Sequence, residues 1–213
     1  PLTLFPYTTL FRSMIFSLEV GAQSTASKQI EIFEFESGVM GNSRNIRLFL
    51  PESYAGSKKS YPVIYMHDAQ NLFDTETSFA GEWEIDEFLE RNNSEIIVVG
   101  IDHANEDRIT ELTPFANEQY GGGQAEKYLE FIISELKPHI DNNFRTKTQA
   151  THTGIFGSSL GGLVSFYAAV KHPEIFGKAG VFSPSFWFSD DIYEFAKASE
   201  IPENSKFYFL AGT

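Results

Sequence analysis

The chain has 213 residues, a formal net charge of −13, no cysteine and 42% hydrophobic residues. That length suffices for one sizeable core and falls short of two. The acidity argues against nucleic acid or an anionic membrane surface as partner. The lack of cysteine excludes a disulfide framework and thiolate metal sites, and no apolar run is long enough to span a bilayer.

Residues 3–13 resemble the translation of a sequencing-library adapter, so residues 1–13 are set aside as a cloning or assembly artefact. Residues 14–28 read as a leader or signal-peptide remnant. Val20 and Ala22 have the small-residue spacing of a signal-peptidase site, although the apolar part is short, carries Glu19 and lacks a basic start. A true remnant predicts a secreted or periplasmic protein; a frayed leader would leave it cytoplasmic.

The domain is expected over residues 29–213. Residues 29–35 alternate apolar and polar, as a half-exposed strand does, and residues 44–50 form a second strand ended by Pro51. The two make an antiparallel hairpin. Residues 62–66 are continuously apolar, the mark of a strand buried on both faces. They run into His67-Asp68-Ala69-Gln70-Asn71-Leu72-Phe73-Asp74 at the sheet end where α/β proteins place ligands. His67 and Asp68 are expected to pair and shape this loop. Asp68 is also a candidate substrate contact. Asp68 with Asp74 suggests a metal only weakly, because no further ligands cluster there, and none is expected.

Residues 82–91 read as a helix with Trp83, Ile85, Phe88 and Leu89 towards the core, and 96–101 as a second buried strand. Residues 102–120 read as a long functional loop, in which Arg108 either pairs with Glu111 or touches substrate. Gly121-Gly122-Gly123 matches no phosphate-binding pattern and reads as a flexible entry to a helix over 124–143. Its apolar stripe is Tyr128, Phe131, Ile132, Leu136 and Ile140; His139 is expected to be exposed or structural.

Residues 148–156 form the strand into Gly157-Ser158-Ser159-Leu160-Gly161, and a helix follows over 160–172. Gly-x-Ser-x-Gly between strand and helix marks a serine on a sharp, strained turn. Side chains two positions to either side of the serine would collide, hence Gly157 and Gly161. Ser159 is the candidate nucleophile. The amide of Leu160, with that of Ala69 or Gln70, would hold an oxyanion. A strand over 178–182 ends in Ser183-Pro184-Ser185-Phe186-Trp187-Phe188, where Trp187 lines a pocket or simply packs. A helix over 190–199 and a strand over 206–210 complete the pattern. Strands separated by helices predict an α/β fold with a doubly wound, mostly parallel sheet and antiparallel N-terminal strands.

Residues 65–73, Gly81-Glu82-Trp83, Gly157–Gly162 and Pro184-Ser185-Phe186-Trp187 together resemble the Putative esterase family of α/β-hydrolases. That family includes enterochelin esterases, feruloyl and acetyl-xylan esterases, S-formylglutathione hydrolase and mycolyltransferases. The resemblance runs from about Gln29 to the last residue. It implies the α/β-hydrolase fold, no cofactor, and a Ser–acid–His triad in that chain order with Ser159 as nucleophile. The acid would follow the strand at 207–210 and the histidine the next strand, both beyond Thr213. None of the five histidines (67, 103, 139, 152, 172) lies after that strand. The expectation is therefore a domain truncated before its last strand and helix, nearly inactive by itself. The substrate would be a small-molecule or glycan-linked ester. Two alternatives stay open: a non-catalytic glycan- or siderophore-binding protein using Trp83 and Trp187, and an acyltransferase. Nothing in the sequence signals an oligomeric state.

Overall fold

The structure, a computed structural model, describes residues 23–212. The adapter-like stretch and the leader up to Ala22 lie outside the described residues. Strands β1 (Ile30–Ser37) and β2 (Asn42–Phe49) form the expected antiparallel hairpin, in register from Ile30 opposite Phe49 to Ser37 opposite Asn42. Next come β3 (Val63–His67), helix α1 (Ile85–Arg91), β4 (Ile97–Ile101) and the short helix α2 (Arg108–Leu112). A two-residue hairpin, β5 (Ala116–Asn117) with β6 (Gly121–Gly122), leads to α3 (Ala125–Phe131) and α4 (Lys137–Asn143). The domain continues through β7 (Thr153–Ser158), α5 (Leu160–Lys171), β8 (Lys178–Phe182), α6 (Asp191–Ala198) and β9 (Lys206–Leu210).

Seven strands join in the order β1-β2-β4-β3-β7-β8-β9. β4, β3, β7, β8 and β9 run parallel, and β2 meets β4 antiparallel. The fold is thus α/β with a mostly parallel sheet. Strand order reverses at β3, whose chain goes on to β4 on one side while β7 lies on the other. The carboxyl ends of β3 and β7 therefore open the crevice in which such sheets bind ligands.

Period-two alternation sends each strand's side chains to two cores. Val63 and Tyr65 of β3, with Ile97 and Val99 of β4, pack under α3 and α5; Met66 and Val98 face α1. The second face is the thinner. Ile64, Met66, Val98, Phe156 and Phe182 line an open apolar groove of about 570 Å³ there. This corrects the expected packing of α1. Only Leu89 is fully buried, Ile85 is partly buried, and Trp83 and Phe88 stand 37% and 56% exposed on the groove.

The predicted helix over 124–143 is present with its whole apolar stripe buried. A π turn at Ile132–Leu136 joins α3 to α4 just before Pro138, which has no amide hydrogen to continue the ladder. His139 is exposed and packs edge-on against Phe35. The segment 102–120 is not one long loop: α2, β5 and the turn that leads to β6 occupy it. The triple glycine takes a defined path. All three residues have positive φ, and Gly123 N–H donates to Thr113 Oγ1 at 2.8 Å. A Cβ on Gly122 would lie within 2.2 Å of that same oxygen. The sequence pointed to backbone freedom, and the fold uses it for a left-handed path. Among the described residues no helix is long and apolar enough to cross a membrane.

Candidate active site

β7 ends at Ser158 and α5 begins at Leu160, so Ser159 occupies the single residue between them, at φ 56°, ψ −119°. An L-residue adopts that conformation at a cost of order 1–3 kcal/mol, and the surroundings enforce it. Ser159 N–H donates to Phe182 O, and its carbonyl accepts from Leu163 N–H and Ser185 N–H, each at 3.0 Å. A Cβ on Gly157 would stand 2.7 Å from the Gly161 carbonyl carbon and oxygen. The close approach expected from the sequence is therefore present, backbone against backbone. Gly157→Ala should lower stability by about 2–3 kcal/mol, because the clash meets main chain that cannot swing away. Urea unfolding measures it, and a loss below 0.5 kcal/mol would contradict the steric account.

The serine opens on a cleft of about 340 Å³ lined by His67, Asp68, Trp83, Arg108, Ser158 and Ser159, among others. A Cβ on Gly161 would lie 3.3 Å from His67 Cβ and 3.5 Å from Asp68 Oδ2, so the start of α5 sits against the turn after β3. Leu160 is the first helical residue, and its amide has no partner within the helix. Ala69 and Gln70 begin a 3-10 turn, Ala69–Asn71, and their amides are unpaired by position in the same way. Leu160, Ala69 and Gln70 do not themselves line the cleft; their chain neighbours Ser159, Asp68 and Asn71 do. The Gln70 side chain points elsewhere, exchanging two hydrogen bonds with the His103 backbone.

Three sequence expectations are corrected. His67 and Asp68 do not pair. His67 Nδ1 lies 2.9 Å from the Tyr128 hydroxyl, and Asp68, at φ 57°, takes a bidentate pair from Arg108 at 2.6 and 2.8 Å. Arg108 does not reach Glu111, because Glu111 is buried against Arg44. Trp187 is not brought to the cleft; it is 68% exposed and meets Tyr120 edge to face at 6.0 Å. Trp83 is brought there, held by its amide on Asn71 O at 2.8 Å and by Phe182 against its ring.

Ser185 was missed. Its hydroxyl lies 3.0 Å from Ser159 Oγ and the residue is 3% exposed. The signal was its position just past the carboxyl end of β8, beside the elbow. Among the described residues no histidine is hydrogen-bonded to Ser159.

Electrostatically the cleft presents one ion pair, Arg108 with Asp68, and one neutral ring. The hydrogen bonds that Arg108 donates to Asp68 raise its guanidinium above its ordinary range, burial opposing. Burial pushes His67 down to about 4, so it is neutral at pH 7. In the unfolded chain it titrates near 6.5, so between the two values the unfolded state binds more protons. Stability should therefore fall as the pH drops through this window, by about 3 kcal/mol from this residue. Stability against pH, wild type minus His67→Gln, should show that loss; a flat difference curve would overturn the assignment.

The family described as Putative esterase matches residues 37–207. The YbbA protein of Bacillus subtilis, itself uncharacterised, is 28% identical over 177 residues, covering 80% of this chain and 68% of YbbA. The iron(III) salmochelin esterase of Escherichia coli O6:H1 is 29% identical over 158 residues, 72% of this chain and 35% of that enzyme. Among solved structures, an IroE-like serine hydrolase from Shewanella oneidensis superposes with a TM-score of 0.65 at 28% identity. That alignment covers 78% of this chain and 54% of the hydrolase, so the chain spans about half of that protein's length.

Proposed function

The chain belongs to the Putative esterase family, and we propose that it carries the nucleophile side of a serine carboxylic-ester hydrolase. The observation that carries this reading is the backbone of Ser159, held at a costly φ/ψ on the lip of a cleft and at the start of α5. Such strain persists where it aims a side chain. In the reaction, Ser159 Oγ attacks the ester carbonyl carbon as a base takes its proton, and the C=O electron pair moves onto oxygen. The Leu160 amide, with that of Ala69 or Gln70, receives the oxyanion; one such donor is worth about 3–4 kcal/mol. Collapse expels the alcohol, which takes the proton, and leaves an acyl-serine that water hydrolyses.

We assign no acid or histidine of the triad within this chain: among the described residues no histidine is hydrogen-bonded to Ser159, and the chain covers 35% of the salmochelin esterase and 54% of the IroE-like hydrolase. The substrate class we favour is an ester with an aromatic acyl part and an anionic or carbonyl-rich group. Trp83 and Phe79 supply apolar cleft walls, Arg108, paired with Asp68, supplies the guanidinium of the cleft, and a relative at 29% identity is named iron(III) salmochelin esterase. Trp187 would then act only on large substrates reaching past the cleft. A fluorophosphonate probe tests the reading. The protein extended past Thr213 should label at Ser159 and hydrolyse aryl esters, and the 213-residue chain should turn over at most residually. Failure of the extended protein to label would sink it.

A further inference from the structure

At the start of α1, away from the serine, three carboxylates converge. Glu82, Asp86 and Glu87 each bring an oxygen within 4.8 Å of the other two. Asp86 is fully buried, and its Oδ1 has no hydrogen-bond partner. Glu87 Oε2 is buried and unpartnered as well. Among the described residues no lysine, arginine or histidine forms an ion pair with any of the three. Only neutral donors approach from outside. Ser27 N–H reaches Asp86 Oδ2 at 2.8 Å, Thr25 Oγ1 reaches Glu82 at 2.8 and 2.9 Å, and Thr75 Oγ1 also bonds Glu82.

Three like charges this close, one of them removed from water, are costly without a counter-charge. A proton shared between Asp86 and Glu87 would neutralise one of them and leave the others facing each other. A dication answers all three. We propose that Glu82, Asp86 and Glu87 form a site for a hard divalent cation of the calcium type. All three donors are oxygen, which selects against zinc and copper. The ligands come from one irregular turn and the first helical turn, and calcium tolerates irregular coordination by 6–8 oxygens where magnesium demands an octahedron. A cation there would bind the strap at 25–27 to α1. Trp83 lies in sequence between two of the ligands and lines the cleft, so the same ion would stiffen one cleft wall.

Terbium, a luminescent stand-in for calcium, tests this on the full chain. Excitation of tryptophan should give sensitised terbium emission that saturates and is displaced by calcium. Calcium at about a hundred times its Kd should raise the thermal midpoint by about 5 °C or more. Glu82→Gln with Glu87→Gln should weaken terbium binding at least tenfold and abolish the calcium shift. Glu194→Gln with Glu200→Gln, matched in charge but distant in sequence, should keep both. If the first double variant fails to fold, Asp86→Asn, which mimics the protonated acid, replaces it with the same expectation. The proposal falls if wild type shows no calcium-dependent shift, or if the charge-matched control loses binding equally. The first of these results would leave the cluster holding a proton only.

Discussion

Ser159→Ala in the protein extended past Thr213 is expected to abolish fluorophosphonate labelling and to lower ester turnover by about 10⁴- to 10⁶-fold. The magnitude follows from what the residue contributes. Without Oγ there is no covalent route, and what survives is the polarisation of a bound carbonyl by backbone amides. Those amides belong to the turns at Ala69–Asn71 and Leu160 and would stay in place, because the alanine leaves the hydrogen bonds of residue 159 to Phe182, Leu163 and Ser185 intact. Ser185→Ala is the contrasting control. Its hydroxyl lies 3.0 Å from Ser159 Oγ but sits on no positive-φ residue, so the proposed reading gives it a positioning role. The same backbone predicts a trade between activity and stability. Ser159→Gly should raise stability by about 1–2 kcal/mol, since glycine adopts positive φ without strain, while removing activity as fully as alanine does. An alanine variant retaining more than a tenth of the turnover would refute Ser159 as nucleophile.

The elbow was legible from sequence because its constraint is local. Gly157 and Gly161 must approach each other whatever the rest of the chain does, and five residues encode that. The parallel sheet was legible for a similar reason, since runs such as Ile97–Ile101 can be buried only between two layers. What stayed hidden were pairings between residues distant in sequence. Arg108 has acidic neighbours at Asp107 and Glu111, and local spacing favours Glu111. The fold instead turns Glu111 inward to Arg44, 67 positions away, and turns Arg108 out to Asp68, 40 positions away. The exposure of Phe88 was hidden too. Its helical pattern says apolar, but burial depends on what covers that face of the sheet, and among the described residues little does. The site's walls come from such pairings, so the sequence located the serine better than its surroundings.

The Arg44–Glu111 pair gives the largest expected stability effect. Arg44 Nη1 and Nη2 donate to the two oxygens of Glu111 at 2.9 and 2.8 Å, with side chains 2% and 4% exposed. The guanidinium also lies 5.0 Å from the Phe131 ring centre. The pair ties β2 to α2, the helix that opens with Arg108. Two charges this deep need each other: their attraction mainly offsets the desolvation each has suffered. Arg44→Met should therefore destabilise by about 3–5 kcal/mol, a fall in thermal midpoint of roughly 10 °C, because Glu111 is left charged and buried. Adding Glu111→Leu should recover most of that loss, since removing both charges removes the unpaired one. The two outcomes separate a charge argument from a volume argument. If the lost contacts of Arg44 with Phe131 and Tyr128 were what mattered, the second substitution would make the protein worse. A double variant less stable than Arg44→Met would show that packing, and not the orphaned carboxylate, dominates at this joint. Arg108 would then owe its place beside Ser159 to the fit of α2 against α3, not to the ion pair beneath it.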